Sequence, residues 1–192
     1  MDHITLPSPV TSGTVSIEEA LSKRRSIREF DGRQLSTEQL SQILWAAHGI
    51  TDAEGRRTAP SAGATDPLQV LVATPDGMFR YDAAAHQLEI LSQENLLAEI
   101  GEALGDDRVR RAGAVVAIAA DERPTTARYD ERGKRYVMFE VGHVAQNLLL
   151  QVAALGLGGY PIGAFDDSAV ATRFSLTAEQ EPMYVISVGH PA

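Results

Sequence analysis

The stretch RYVMFEVGHVAQNLLLQVAALGLGGYPIGAFDD, residues 135–167, combines a strongly apolar segment with a group of four glycines. Its first part predicts a helix from about Tyr129 to Leu155 that is polar at its start and then apolar nearly all round. A helix that is apolar on every side must be buried on every side, and His143 is therefore expected in the core. In a chain of 192 residues, a partner subunit is a natural source of the missing cover.

The glycines that follow the helix do not form a dinucleotide-binding motif. The G-x-G-x-x-G pattern should follow a strand and open a helix, whereas these glycines follow a helix. We therefore expect a helix end followed by a loop whose backbone amides point at a ligand. Asp166 or Asp167 is then expected to cap a further short helix.

Two further helices are predicted near the start of the chain by capping signals. Ser16 with Glu19, and Ser36 with Gln39, have the spacing of a capping box. They open predicted helices that extend to about residue 25 and to Gly49. Another helix is predicted at residues 94–104.

Runs of β-branched and aliphatic residues predict the strands of a single domain. The expected fold class is α+β, with a central, mainly antiparallel or mixed sheet flanked by helices. Residues 1–15 are expected to form an extended N-terminal arm, and residues 16–192 a single domain. The predicted strands are residues 68–74, 77–82, 86–91, 114–120 and 183–188.

Composition excludes several classes of function. The net charge of -9, from 26 acidic and 17 basic residues, argues against nucleic-acid and anionic-membrane binding. The absence of cysteine excludes disulfides and thiolate nucleophiles, and the five histidines lack metal-ligand spacing, so no metal is expected. The N-terminal sequence shows no secretory signal, and no apolar run is long enough to span a bilayer, so the cytoplasm is the expected compartment.

The sequence SKRRSIREF, residues 22–30, concentrates positive charge in this acidic chain. On a continuing helix, Arg24 and Arg28 would share one face while Arg25 points elsewhere, and Ser26 would add a hydroxyl donor. Guanidinium groups match phosphate oxygens in pairs, so the cluster suggests a phosphate ligand. A solvated helix end is the alternative interpretation.

The loop APSAGATDP, residues 59–67, consists mostly of small residues between two prolines. Small side chains let a backbone approach a flat ligand, and Gly63 can adopt a positive φ angle. Ser61 and exposed amides could bind the polar edge of a heterocycle. An ordinary surface loop is the alternative.

Taken together, RRSIREF, RTAPSAGATDPLQV and the stretch at 135–167 resemble the FMN-dependent nitroreductase family in order and spacing. The specific resemblance is to its SagB-type dehydrogenase branch, which includes flavin enzymes that oxidise azolines to azoles in peptides. The similarity extends from about residue 18 to residue 191. It implies a nitroreductase-like fold and an interlocked homodimer with FMN in each of two interface clefts.

The resemblance also implies three groups of FMN-binding residues. The first would hold the phosphate and the nearby pyrimidine edge, and the second would line the ring from the other subunit. The third would lie against the isoalloxazine, with a backbone amide as partner of flavin N5. The three groups are Arg24, Arg25, Ser26 and Arg28; Pro60, Ser61, Ala62 and Gly63; and Pro161, Ile162, Gly163 and Ala164.

The implied reaction is a ping-pong transfer of hydride from NADH or NADPH, through flavin N5, to a small-molecule acceptor such as a nitroaromatic or a quinone. A second hypothesis is an FMN dehydrogenase that oxidises an azoline or another C–N bond, with Lys134 and Tyr136 as candidate proton acceptors. These two residues could equally be a solvated charge and a partly buried tyrosine. Two hypotheses without redox turnover are a flavin-binding or flavin-processing protein that does not use NAD(P)H, and a binding domain without flavin.

Two features depart from the family pattern. Many nitroreductases carry Lys or Arg just after the last strand, whereas SVGHPA, residues 187–192, has neither. After Arg135 the only basic residue is Arg173, so phosphate neutralisation would rest on the N-terminal arginines. The middle region, where relatives often insert helices over the active site, is short, so an open flavin face is expected.

Overall fold

The computed structural model describes residues 2–192 and contains a seven-stranded sheet. The strands lie in the order β1-β4-β3-β2-β5-β7-β6, and each neighbouring pair is antiparallel. This arrangement confirms the predicted α+β class. The strands are β1 (His3–Thr5), β2 (Leu68–Thr74), β3 (Gly77–Asp82), β4 (Gln87–Ser92), β5 (Ala114–Ala120), β6 (Gly158–Ile162) and β7 (Glu181–Gly189).

Helices cover both faces of this sheet. α2 and α5 pack on one face, and α3 and α6 pack on the other. The described residues also form short 3₁₀ turns at 62–64 and 107–111. The helices are α1 (Ile17–Lys23), α2 (Thr37–His48), α3 (Leu97–Leu104), α4 (Arg123–Tyr129), α5 (Arg132–Ala154) and α6 (Asp167–Arg173).

The two hydrophobic layers meet at β5, which is buried along its whole length. Successive side chains of a strand point to opposite faces, so Val116 and Ile118 enter the α5 layer while Val115 and Ala117 enter the α3 layer. Each fully buried valine or isoleucine contributes about 1.5–3 kcal/mol relative to an exposed one. The central strand therefore anchors both layers.

The predicted capping residues lie at the starts of three helices. Ser36 and Gln39 form a complete capping box at α2, with hydrogen bonds in both directions. At α1, the Ser16 hydroxyl accepts the Glu19 amide at 3.1 Å, which is half of the predicted box. Of the two aspartates considered for α6, Asp166 is the cap, since its carboxylate accepts the Ala169 amide at 2.9 Å.

The long helix differs from the prediction in two respects. α5 begins at Arg132 rather than near Tyr129, because Asp130 has φ 51° and separates it from α4. One face of α5 is also uncovered in the single chain, where Met138 and Phe139 are 58% and 55% exposed. His143 is exposed as well, so its expected place in the core is wrong for the isolated chain.

The glycine-rich segment after α5 was expected to be a loop, but residues 158–162 form the edge strand β6. α5 ends at Ala154, and Gly156, which has a φ of 71°, turns the chain back towards β7. A Cβ atom at Gly158 would lie 2.8 Å from Ile27, and one at Gly159 would lie 2.9 Å from Leu149. The glycines thus allow the edge strand to pack closely between its neighbours.

The predicted helical geometry of the arginine cluster is also wrong. α1 ends at Lys23, and residues 24–28 continue without helix, so Arg24 and Arg28 do not share a helix face. Ser26 instead forms a parallel bridge with Gly159, and the Ile27 amide donates to the Gly159 carbonyl at 3.0 Å. The backbone pairing with β6 replaces the last turn of the predicted helix.

Candidate functional site

Two of the three predicted groups lie together at the outer edge of the sheet. Residues 24–28, called the arginine segment below, run along β6 through the bridge between Ser26 and Gly159. Pro161 and Ile162 belong to β6 itself, with Ile162 buried. Gly163 and Ala164 follow the strand and are exposed. The edge of β6 therefore combines cationic side chains with accessible backbone.

The arginine segment carries positive charge that is not paired in a salt bridge. Within residues 2–192, Arg24, Arg25 and Arg28 form no ion pair with an acidic side chain, although the chain has a net charge of -9. By contrast, Arg57 pairs with Asp66 at 2.6 Å. Guanidinium groups without acidic partners along one short segment fit an anionic ligand such as a phosphate. On this observation, the segment fits the phosphate end of FMN.

A cavity of about 250 Å³ lies beside the arginine segment. Arg24, Arg25, Val152 and Gly159 are among its lining residues, so it is cationic on one side and apolar on the other. Arg25 donates to the carbonyls of Ser22 at 2.9 Å and of Arg24 at 2.7 Å, which satisfies acceptors at the end of α1. The cavity therefore sits where α1, the C-terminal end of α5 and β6 meet.

Arg28 points to a different place from Arg24. Its guanidinium lies 4.5 Å from the centre of the Tyr160 ring, and Arg108 lies 5.5 Å from the same ring. Arg108 makes two hydrogen bonds of 2.7 Å to Asp106, and these hold the pKa of Asp106 below its usual value. The carboxylate therefore pairs with Arg108, while Arg28 lies against the Tyr160 ring.

The second predicted group belongs to residues 58–66, called the 58–66 loop below. Glu140 of α5 is 5% exposed, and its Oε1 accepts the Ala62 amide at 2.8 Å. Burial raises the pKa of Glu140, while the hydrogen bond from the Ala62 amide partly offsets the rise. The loop backbone is thus fixed to α5 by a buried carboxylate.

Two further side chains hold the same loop. Arg128 donates from Nη1 to the Gly63 carbonyl at 2.9 Å, and Asn147 donates to the Thr58 carbonyl at 3.0 Å. Pro60 remains exposed at the tip. The loop consequently presents a fixed surface rather than a mobile one.

In one chain, the 58–66 loop lies apart from the other two groups. The distance along α5 from Glu140, which holds the loop, to Val152, which lines the cavity, is about 18 Å. The strand that follows the loop, β2, is three strand spacings from β6, or about 14 Å. The structure therefore brings together the first and third groups and separates the second.

Of the two candidate proton acceptors, Lys134 has surroundings that disfavour that role. Lys134 Nζ lies 2.9 Å from Glu131 Oε2, and this hydrogen bond raises the pKa of Lys134. A lysine held in its protonated form cannot accept a proton at neutral pH. Tyr136 packs edge-on against Tyr129, with ring centres 5.1 Å apart.

Sequence reasoning missed Glu140, Arg128 and Tyr160. Glu140 did have a signal, because it is the one acidic residue of α5 and stands in an apolar segment where a carboxylate is uncommon. Tyr160 lies in the segment predicted to be a loop, where the pattern gives its ring no particular role. Nothing in the sequence pattern around Arg128 distinguishes it from other exposed arginines.

The family model described as "Nitroreductase family" matches residues 21–190, which contain all three predicted groups. The chain belongs to the nitroreductase family. This nitroreductase family member is 39% identical over 182 residues to a protein of Methanocaldococcus jannaschii provisionally named a nitroreductase, with 91% of each chain covered. The predicted family resemblance is therefore confirmed, whereas the SagB-type branch stays a prediction.

Solved structures of nitroreductases share the fold of this family member. A crystal structure from Ralstonia eutropha, of a protein provisionally named a nitroreductase, has a TM-score of 0.89 and 33% identity, covering 99% of this chain and 90% of that one. The NADPH:FMN oxidoreductase of Vibrio harveyi, solved with NAD⁺, has a TM-score of 0.67 and 21% identity, covering 91% and 68%. The nitroreductase-like fold is thereby confirmed.

Two further features of this nitroreductase family member concern metals and membranes. Within residues 2–192, no three His, Asp or Glu side chains gather in a way that could hold a metal ion. Among the helices of the same residues, none has the length and apolar character needed to cross a bilayer.

Proposed function

We propose that this nitroreductase family member is an FMN-dependent oxidoreductase that passes a hydride from NADH or NADPH to a small-molecule acceptor such as a nitroaromatic or a quinone. The observation that carries the proposal is the arginine segment, whose cations lack acidic partners within residues 2–192 and lie beside exposed backbone at Gly163 and Ala164. The fold shared with an NADPH:FMN oxidoreductase supports the choice of cofactor and donor.

The residues at the edge of β6 can be assigned to the phosphate, the pyrimidine edge and the N5 atom of FMN. Arg24, Arg25 and Ser26 would bind the phosphate, and Arg28 would lie at the pyrimidine edge of the ring. A backbone amide at Gly163 or Ala164 would donate to flavin N5. Bound FMN would supply the two-electron chemistry, and the positive charge of Arg28 would favour its electron-rich form.

We also propose a homodimer with FMN at each interface, in which the 58–66 loop of one subunit reaches the arginine segment of the other. The separation of the loop from the arginine segment within one chain supports this arrangement. So do the exposed apolar side chains Met138 and Phe139 on α5, together with Ile17 and Leu21 on α1, each at least 53% exposed. Apolar surface of this kind is typical of a subunit contact.

The hypothesis of an FMN dehydrogenase that acts on azolines finds less support in the site, because Lys134 is held protonated by Glu131. The net charge of -9 supports a small-molecule substrate rather than nucleic acid or an anionic membrane. The proposal also places the protein in the cytoplasm. It assigns residues 1–15 to an N-terminal arm and residues 16–192 to the FMN-binding domain.

The test is to incubate the purified protein with FMN, remove the excess and record the visible spectrum. We expect a yellow protein that NADH or NADPH bleaches without oxygen and that a quinone or nitroaromatic re-oxidises. A protein that stays colourless would refute the proposal. One that binds FMN but resists reduction would favour a flavin-binding protein without turnover. Elution from a size-exclusion column at the volume of a monomer would contradict the proposed dimer.

A further inference from the structure

The 58–66 loop adopts a backbone conformation that most residues avoid. Gly63 has φ 60°, and the non-glycine residues Ala64 and Asp66 have φ 54° and 48°. In this left-handed region the Cβ atom approaches the carbonyl oxygen, so Ala64 and Asp66 each cost free energy, whereas Gly63 does not. A strained segment persists only where its surroundings hold it in place, and such segments cluster at binding sites.

The surroundings that hold this loop come mainly from α4 and α5. The Ala62 amide, the Gly63 carbonyl and the Thr58 carbonyl are each bound by a side chain of these helices. Glu140 differs from the other two side chains because it is buried, at 5% exposed, and charged. Burial of a carboxylate is unfavourable unless hydrogen bonds compensate for the lost water.

A carboxylate suits this place better than an amide. It presents only acceptors, and its Oε1 receives the Ala62 N–H at 2.8 Å. A glutamine at 140 could accept from Ala62 as well, but only as a neutral acceptor. Hydrogen bonds to a charged acceptor are also stronger than those to a neutral one.

We propose that Glu140 is a positioning residue for the cofactor, which holds Ala62 so that the strained 58–66 loop is formed before FMN binds. The inference rests on the proposed function, since it takes Pro60 to Gly63 to be the loop that lines the flavin of the partner subunit. Glu140 itself does not touch the ring. Its effect on FMN is transmitted through the Ala62 hydrogen bond.

The test compares Glu140→Gln and Glu140→Ala with the wild type by two measurements on the full chain. One is the dissociation constant of FMN from fluorescence titration of the apoprotein. The other is the hydrogen-exchange rate of the Ala62 amide without FMN. We expect both to follow the order Glu, Gln, Ala, with FMN binding about threefold weaker in E140Q and at least tenfold weaker in E140A.

Glu99→Ala is the matched control, because Glu99 is a half-buried glutamate on α3 across the sheet from the loop. We expect E99A to bind FMN like the wild type, even if its melting temperature falls. An E140A variant whose Ala62 amide exchanges freely while FMN binds with wild-type affinity would overturn the inference. If E140A does not fold, an E140Q variant with wild-type FMN affinity would overturn it.

The same titration separates the inference from the proposed function. Wild-type protein that binds no FMN would refute the proposed function and the inference with it. Wild-type protein that binds FMN, with variants at Glu140 that bind equally well, would refute the inference alone. Retention of FMN binding by E99A together with its loss in E140A would support both.

Discussion

The arginine segment and the 58–66 loop are held in opposite ways. The arginine segment is attached to β6 by a short backbone bridge, and its cations have no acidic partners within residues 2–192. The 58–66 loop has a strained backbone that three side chains hold, and its Asp66 is paired with Arg57. Unpaired surface charge costs little in water and provides affinity for an anion, whereas fixed shape provides precise placement. Under the proposed function, the affinity for FMN and the placement of FMN would therefore come from separate parts of the chain.

The largest expected effect comes from removal of the unpaired charge. We expect Arg24→Ala combined with Arg28→Ala to weaken FMN binding by about 100-fold or more, because two charge-assisted contacts to the cofactor are lost. The melting temperature is expected to change little. Fluorescence titration and thermal unfolding measure the two effects.

The control for that variant is Arg33→Ala combined with Arg56→Ala, which changes the net charge equally. Both of these arginines are exposed and paired with carboxylates close in sequence. We expect FMN binding of the control to stay within about threefold of the wild type. Full FMN occupancy in the Arg24 and Arg28 double variant would contradict the phosphate assignment.

A second prediction concerns pH and the base of the 58–66 loop. His48 is buried, and burial lowers its pKa from 6.5 to about 4. Because the folded state binds this proton less readily than the unfolded state, stability is lost as the pH falls from about 6.5 towards 4. We expect a loss of about 2 kcal/mol in unfolding free energy between pH 7 and pH 5 from this residue.

Urea unfolding at several pH values measures this loss. In His48→Gln, the decrease between pH 7 and pH 5 is expected to be smaller by that amount. His3→Gln, at an exposed position of β1, serves as the control and is expected to keep the wild-type slope. Parallel pH profiles for the wild type and H48Q would show that His48 is not the group responsible.

The third prediction tests the strain in the loop. In Gly63→Ala, the new Cβ would lie 2.6 Å from the Tyr129 hydroxyl and 2.8 Å from Arg128. We expect the Arg128 and Tyr129 side chains to move away, which weakens the hydrogen bond from Arg128 to the Gly63 carbonyl. FMN binding is then expected to weaken about tenfold, because the loop is held less firmly. Gly105→Ala is the matched control, since Gly105 has a similar φ of 65° but open space around it. Equal FMN affinity in both variants would mean that the contact with α4 does not set the loop geometry.

The smallest effect is expected at the ring that orients Arg28. Tyr160→Leu removes the aromatic face, and we expect FMN binding to weaken about fivefold. Tyr160→Phe keeps the face and is expected to behave like the wild type. The midpoint potential of bound FMN provides a second measurement, because displacement of Arg28 would make it more negative. If Y160L keeps the wild-type FMN affinity and the wild-type midpoint potential, the contact between Tyr160 and Arg28 has no role in FMN binding.

The sequence predicts those structural elements whose determining residues lie close together in the chain. The caps at Ser16 and Ser36 and the buried strand β5 were predicted, because hydroxyl spacing and β-branched runs act within a few residues. The edge strand β6 was not predicted, because glycine is uncommon in strands. Its glycines are needed for close contact with Leu149 and with Ile27, which is distant in the sequence.

The candidate site shows the same limit. The arginines and the small-residue loop could be named from their motifs, but the end of α1 at Lys23 depends on pairing with a strand more than 130 residues away. The hydrogen bond from Ala62 to Glu140 joins residues 78 positions apart, and no local pattern encodes it. Which residues fix the loop is therefore visible only in three dimensions.

The helix α5 carries Glu140 next to Phe139, whose side chain is 55% exposed. In the proposed homodimer, subunit association and loop anchoring would depend on adjacent residues of α5, so each process would bias the other. Linkage is reciprocal, and added FMN is expected to lower the protein concentration at which subunits pair, while dilution is expected to release the cofactor. Colour would then report assembly.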